Sequence, residues 1–154
     1  MSPPRSPAAE PTSTIQQEIA AIVARANVKS AVDWFRANEA QLSRWQVQLA
    51  SIPAPPFGEA NRADWLTEQF RTLGLKDVVK DGVGNAIGLL PGTGPAVSLS
   101  AHLDTVFPAG TPLDIREQGR RFSGPGISDN AAGVVALLAI AAVFQQTDLP
   151  HRAP

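Results

Sequence analysis

His102 and Asp104 lie two residues apart in the stretch SAHLDTVFPAG, in a chain that has only two histidines. The run before them, AVSLSAHL at 96–103, alternates apolar and polar residues, which predicts a β-strand. Residues i and i+2 of a strand share a face, so both side chains would project together at the strand's end. Ligands of open α/β sheets bind there, where an imidazole can ligate zinc and a nearby carboxylate can orient it. A bare His-x-Asp pair, however, is more often an ordinary surface pair.

A second polar stretch, GPGISDNAAG at 124–133, precedes an apolar segment. Gly124 and Gly126 match the first two glycines of a dinucleotide-binding loop, but Asp129 stands where the third is required. A carboxylate at that position would repel a pyrophosphate, so the loop favours a cation. Two interpretations stay open for Asp129, a helix N-cap and a metal ligand, while for Asn130 we keep the capping role.

The two stretches together predict a two-metal site. A carboxylate can bridge two ions about 3.5–4 Å apart, and such a pair binds and deprotonates a water. His102 would be a terminal ligand and Asp129 the bridging one. The sequence contains no cysteine, so any metal would be held by His, Asp, Glu or backbone oxygen.

The elements that would position these residues alternate between helices and strands. Hydrophobic spacing predicts helices over about residues 14–26, 29–51, 60–73 and 130–145. Short extended runs with glycine turns predict strands at about 76–80, 85–90 and 96–103, and a hairpin over about 113–124. We therefore expect an α/β fold with a mixed sheet flanked by helices. No strand follows the last helix, so the sheet is expected to be incomplete.

Composition narrows the class of protein. The 154 residues fit one ordinary domain. The net charge of −1 does not indicate binding to nucleic acid or to an anionic membrane. The proline-rich residues 1–13 lack the apolar core of a secretory signal and are expected to form a disordered leader. The apolar run at 131–144 is too short to span a bilayer. A cytoplasmic protein is the resulting expectation.

The two polar stretches resemble the paired signatures of a known family. HLDTVFP followed by GPGISDNAAGV is similar to the co-catalytic zinc peptidases and amidohydrolases. This group contains peptidase T, carboxypeptidase G, aminoacylase-1, acetylornithine deacetylase and succinyl-diaminopimelate desuccinylase. IPAPPFGE, LGL and DGVGNAIG resemble the segment that precedes those signatures. The resemblance covers about residues 28–144.

The resemblance implies a role for each matching residue. His102 would be the terminal ligand of one zinc, Asp129 the carboxylate that bridges both zincs, and Asp104 the catalytic aspartate that positions the site. A cis peptide bond would join Asp129 to Asn130. The implied reaction is hydrolysis of a small peptide or an N-acyl amino acid by a metal-activated water. Two zinc ions are implied, and cobalt or manganese would also suit such ligands.

The chain also departs from the family. The adjacent glutamates that include the general base have no counterpart, since no glutamate follows Glu117, and His151 lies in a tail unlike a site. We therefore expect residues 14–154 to be the N-terminal portion of a catalytic domain that is inactive alone and whose oligomeric state is open. The alternatives are a non-catalytic binding or interaction module that retains the fold, and a nucleotide-binding α/β domain.

Overall fold

The fold, obtained as a computed structural model, is described for residues 14–147 and 149–151. The predicted leader at 1–13 lies outside the described residues. The described part contains five helices and four strands: α1 Thr14–Val23, α2 Ala26–Ala37, α3 Glu39–Ala50, α4 Ala60–Thr72, β1 Lys76–Lys80, β2 Ala86–Leu89, β3 Arg116–Gln118, β4 Arg121–Ser123 and α5 Ala131–Gln146. Helices and short strands intermix, so the predicted α/β class is confirmed.

The strands form two separate antiparallel pairs. β1 pairs with β2, with Lys76 opposite Leu89 and Lys80 opposite Ala86. β3 pairs with β4 as a short hairpin, with Arg116 opposite Ser123. Both pairs lie where alternation and glycine turns predicted them, because such turns bring neighbouring segments together without help from distant ones.

The predicted strand at 96–103 is wrong. None of the described residues between β2 and β3 belongs to a strand. The segment instead lines an open groove of about 770 Å³ that β2, α4 and α5 also line. Val97 and Leu99 remain 61% and 58% exposed, respectively. Alternation predicts a pleated surface, but a ladder requires a neighbouring strand, and no described segment provides one.

The predicted helix at 29–51 is divided at Asn38. This residue ends α2 and precedes α3, with φ −104° and ψ 10°. Its backbone N–H and its side-chain Nδ2 both donate to the carbonyl of Trp34. Asparagine side chains bond to nearby backbone groups and so compete with the helical ladder, which explains the break.

The core lies between α3, α4 and α5. Its largest contributors are Trp45, Leu49, Leu66, Phe70, Val134 and Leu138. α5 is apolar on nearly all sides and buries eight residues. In contrast, α1 buries none, and its isoleucines remain exposed. The polar loop at 124–130 runs directly into α5, so the end of this loop is held by a helix that is packed in the core.

None of the described helices is both long enough and apolar enough to cross a membrane.

Candidate metal centre

His102 is the centre of a cluster that joins both polar stretches of the sequence. Its Nδ1 lies 3.0 Å from Oδ1 of Asp104, and its Nε2 lies 3.0 Å from Oδ1 of Asp129. The side chains of His102, Asp104 and Asp129 are 53%, 42% and 82% exposed. The structure therefore brings together the three predicted site residues, and solvent reaches them.

The two ring nitrogens of His102 cannot both donate to a carboxylate while the imidazole is neutral, although each lies beside one. A carboxylate is an acceptor only, and a neutral imidazole can donate from one ring nitrogen but not from both. If Nδ1–H donates to Asp104, then the lone pair of Nε2 faces an oxygen of Asp129. Such an arrangement is satisfied either by a proton on Nε2 or by a cation that both atoms bind. The donor set thus fits a metal at Nε2.

The distance between Nε2 of His102 and Oδ1 of Asp129 also suits a shared metal ion. Two ligand atoms on a tetrahedral zinc, with bonds of about 2.0–2.1 Å, lie about 3.4 Å apart. The 3.0 Å between Nε2 of His102 and Oδ1 of Asp129 is close to that separation. Asp104 lies at the opposite end of the ring, where it holds the imidazole orientation.

One metal ion could take only part of its ligands from these residues. Within the described ranges, no three His, Cys, Asp or Glu side chains converge so that they could hold an ion between them. Asp104 and Asp129 contact opposite nitrogens of one ring, so a single ion at Nε2 would reach His102 and Asp129 alone. Water or further residues would have to complete a tetrahedral shell.

Asp129 and Asn130 lie directly before α5, at the end of the second polar stretch. The peptide bond between Asp129 and Asn130 is cis, which confirms the bond that the resemblance implied. Asn130 is the N-cap residue by position, but its side chain makes no capping hydrogen bond. The predicted capping role of Asn130 is therefore wrong.

Asn130 instead connects the two polar stretches. Its Nδ2 donates to the carbonyl of His102 at 3.1 Å. Gly133 allows this, because a Cβ there would lie only 2.0 Å from Oδ1 of Asn130. Sequence reasoning missed this contact. The one local signal was a glycine three residues after the asparagine in an otherwise apolar helix.

The loop at 52–56 contacts Thr105, the residue that follows Asp104. The backbone N–H of Thr105 donates to the carbonyl of Ala54 at 2.8 Å, and both residues are buried. The prolines of this loop lack N–H groups and prevent a regular hydrogen-bond ladder, so the carbonyl of Ala54 is available to Thr105. The residue after Asp104 is thereby held in place.

Comparison with known proteins relates the part of the chain that carries this cluster to a family of peptidases. Residues 85–153 match the model of peptidase family M28. The matched range includes His102, Asp104 and Asp129. This match covers less than half of the chain and is consistent with the predicted resemblance to peptidases and amidohydrolases.

Individual relatives agree with that class. A putative LysW-lysine/LysW-ornithine hydrolase of Pyrobaculum aerophilum is 38% identical over 87 residues, which are 56% of this chain and 24% of the relative. A protein of the same description from Pyrococcus abyssi is 35% identical over 91 residues, 59% of this chain and 26% of the relative. A peptidase T-like protein of Yersinia pestis is 35% identical over 87 residues, 53% of this chain and 21% of the relative. The aligned part spans about a quarter or less of each of these relatives.

Proposed function

We propose that this chain carries part of the metal centre of a hydrolase that cleaves peptide or N-acyl amide bonds in small substrates. The observation that carries the proposal is the placement of His102 between Asp104 and Asp129, with one ring nitrogen facing each carboxylate. The names of the relatives, hydrolases and peptidases, support the same reaction class.

His102 and Asp129 would hold the metal. Zinc suits the imidazole and carboxylate donors, and cobalt or manganese would serve as substitutes. Asp129 has a second carboxylate oxygen, so it would bridge two ions in a complete site. A metal held there would supply Lewis acidity, which would polarise the carbonyl of a scissile amide and would lower the pKa of a bound water.

The chain's own residues prepare that site. Asp104 would accept from Nδ1–H of His102, which would fix the tautomer and leave the lone pair of Nε2 for a metal. Asn130 holds the backbone of His102 in register with Asp129. The exposure of all three site residues gives a small substrate access to the metal.

The general base that the resemblance implies has no counterpart in this chain. The sequence has no glutamate after Glu117, so nothing corresponds to the base that the resemblance implies. A positioned base contributes about 10²–10⁴-fold to such reactions. We therefore propose that the chain alone binds metal but shows little or no turnover.

Titration of the purified chain with zinc or cobalt, followed by calorimetry and by cobalt absorption, tests this proposal. We expect saturable binding that a chelator reverses, without measurable hydrolysis of dipeptides or N-acetyl amino acids. An absence of metal binding would show that the cluster is not a metal site and would favour the non-catalytic module. Rapid hydrolysis would contradict the proposed inactivity. Tight binding of a dinucleotide without metal would favour the nucleotide-binding alternative.

Gly133→Ala is expected to weaken zinc binding about tenfold while leaving the fold intact. The new Cβ would displace the side chain of Asn130, which would lose its hydrogen bond to His102. Loss of residues that orient metal ligands costs about 10–100-fold in affinity. Alanine also favours a helix over glycine by about 1 kcal/mol, which offsets the lost bond in the free energy of unfolding.

Ala136→Gly is the matched control for Gly133→Ala. Ala136 is an exposed position of the same helix. This change should lower the free energy of unfolding by about 1 kcal/mol through helix propensity and leave zinc affinity unchanged. Equal zinc affinity in the wild type and in Gly133→Ala would show that Asn130 does not position the site.

A further inference from the structure

The guanidinium of Arg62 lies buried beneath the candidate metal centre. Arg62 is in the first turn of α4 and is 1% exposed. Its Nε donates to the carbonyl of Ile52 at 2.9 Å, and its Nη1 donates to the carbonyl of Leu103 at 3.0 Å. Leu103 is the residue between His102 and Asp104, so this second bond holds the backbone that carries both side chains.

The loop that leads to Asp129 also approaches Arg62. A Cβ at Gly126 would lie 3.4 Å from Nη2 of Arg62 and 2.9 Å from Cγ2 of Thr105. Gly126 has φ +69°, a conformation that glycine adopts without steric cost. Arg62 is therefore in reach of three segments at once: the Ile52 carbonyl, the His102–Asp104 backbone and the 124–130 loop.

The buried positive charge of Arg62 is energetically costly unless an anion or hydrogen-bond acceptors compensate it. Its Nη2 is buried and makes no hydrogen bond to any residue that the structure describes. Burial lowers the pKa of Arg62, and the negative charge of Asp104 opposes this effect. Asp104 is thus the anion whose charge acts on the buried guanidinium.

We propose that Arg62 is a positioning residue of the metal centre, which fixes the Leu103 carbonyl and balances the charge of Asp104 from the buried side. His102 is then held between Asp104 and Asp129 in the orientation that leaves Nε2 for a metal. Arg62 itself is buried, so it acts through these residues and does not contact substrate. This inference rests on the proposed function.

Arg62→Lys tests the inference, with Arg71→Lys as the matched control. Lysine keeps the charge but has no planar fork to donate to two carbonyls at once. Arg71 lies on the same helix, exposed, and pairs with Glu68 at 3.6 Å. Two quantities are measured in each variant: hydrogen exchange of the Thr105 amide without metal, and the dissociation constant for zinc.

We expect Arg62→Lys to accelerate exchange of the Thr105 amide at least about tenfold, because the adjacent backbone is no longer held. We also expect it to weaken zinc binding about 10–100-fold, whereas Arg71→Lys changes neither quantity. Unchanged exchange at Thr105, or unchanged zinc affinity in a protein that binds zinc, overturns the inference. If the wild type binds no zinc, the proposed function fails, and unaltered exchange at Thr105 would still overturn the role of Arg62.

A coupling experiment separates positioning from a purely structural role. Arg62→Lys is combined with Asp104→Asn, because the backbone that Arg62 holds at Leu103 acts on His102 through the Asp104 carboxylate. Residues that act together give non-additive effects. We expect the loss of zinc affinity caused by Arg62→Lys to shrink to less than about threefold in the Asp104→Asn background. Fully additive losses would assign Arg62 to general folding and overturn the inference.

Should Arg62→Lys fail to fold, a measurement on the wild type decides. In protein labelled with ¹⁵N-arginine, the Nε–H signal of Arg62 should exchange slowly with solvent, because it is buried and bonded to Ile52. We expect that signal to shift when zinc is added, while the signal of Arg71 stays in place. A zinc-insensitive Arg62 signal in zinc-bound protein overturns the inference.

Discussion

Asp129→Asn is expected to remove zinc binding while preserving the fold. The amide of asparagine could donate from Nδ2 to Nε2 of His102, so the 3.0 Å contact would be satisfied without any cation. The variant would lose the anionic oxygens that bind the metal. Because orienting residues alone are worth about 10–100-fold, loss of this ligand should weaken zinc binding by at least about a hundredfold. Calorimetric zinc titration measures the change.

Asp33→Asn provides the control for the change in charge. Asp33 is an exposed aspartate of α2 that pairs with Arg36 at 2.8 Å. The same chemical substitution there should leave zinc affinity unchanged. Both variants should unfold with the same midpoint as the metal-free wild type, to within a few degrees. If Asp129→Asn binds zinc within about threefold of the wild type, the metal does not lie between His102 and Asp129.

Leu138→Ala is expected to cause the largest loss of stability among these variants. Leu138 is fully buried within the core and lies on α5, the helix that follows Asp129. Removal of a buried leucine side chain costs about 2–5 kcal/mol, because transfer energy is lost and a cavity remains. Small domains are stable by only about 5–15 kcal/mol, so this loss is a large share. Urea unfolding measures it.

Ile19→Ala is the matched control for Leu138→Ala. Ile19 lies on α1 and is 55% exposed, so its truncation should change the free energy of unfolding by no more than about 0.5 kcal/mol. Zinc affinity of the folded protein should be the same in both variants. A loss below about 1 kcal/mol for Leu138→Ala would mean that α5 is not packed as the structure describes.

Local patterns predicted most of the elements. The 3.6-residue spacing of Leu66, Phe70 and Leu73 predicted α4, and the apolar run after Asn130 predicted α5. The turn DGVG at 81–84 predicted the pairing of β1 with β2. These signals succeeded because side-chain periodicity and turn chemistry act between residues that are close in the chain.

The same patterns failed where the outcome depended on distant partners. The alternation at 96–103 predicted a strand, yet no described segment pairs with it. The stripe at 29–51 predicted one helix, but the side chain of Asn38 bonded to Trp34 and ended it. Periodicity reports which side chains share a face and leaves open what lies against that face.

The sequence by itself determined which groups are able to do chemistry. The types and order of His102, Asp104 and Asp129, with no cysteine anywhere, restricted a metal site to nitrogen and oxygen donors. The two-residue spacing of the first pair allowed a carboxylate to reach the imidazole, and this contact forms although the segment is not a strand. The fold then needed only to bring the third residue to them.

Only the tertiary structure determined that Asp129 reaches His102, and through which atoms. Nε2 of His102 meets Asp129 across 27 positions of sequence because α5 is buried in the core and the residues before it, Asp129 and Asn130, bond to His102. Asn130 and Arg62 contact the site in a similar way, because each donates a hydrogen bond to a backbone carbonyl. Such a bond does not depend on the type of the accepting residue. A pattern of residue types cannot report such bonds, because every residue has a carbonyl and only packing determines which one a donor reaches.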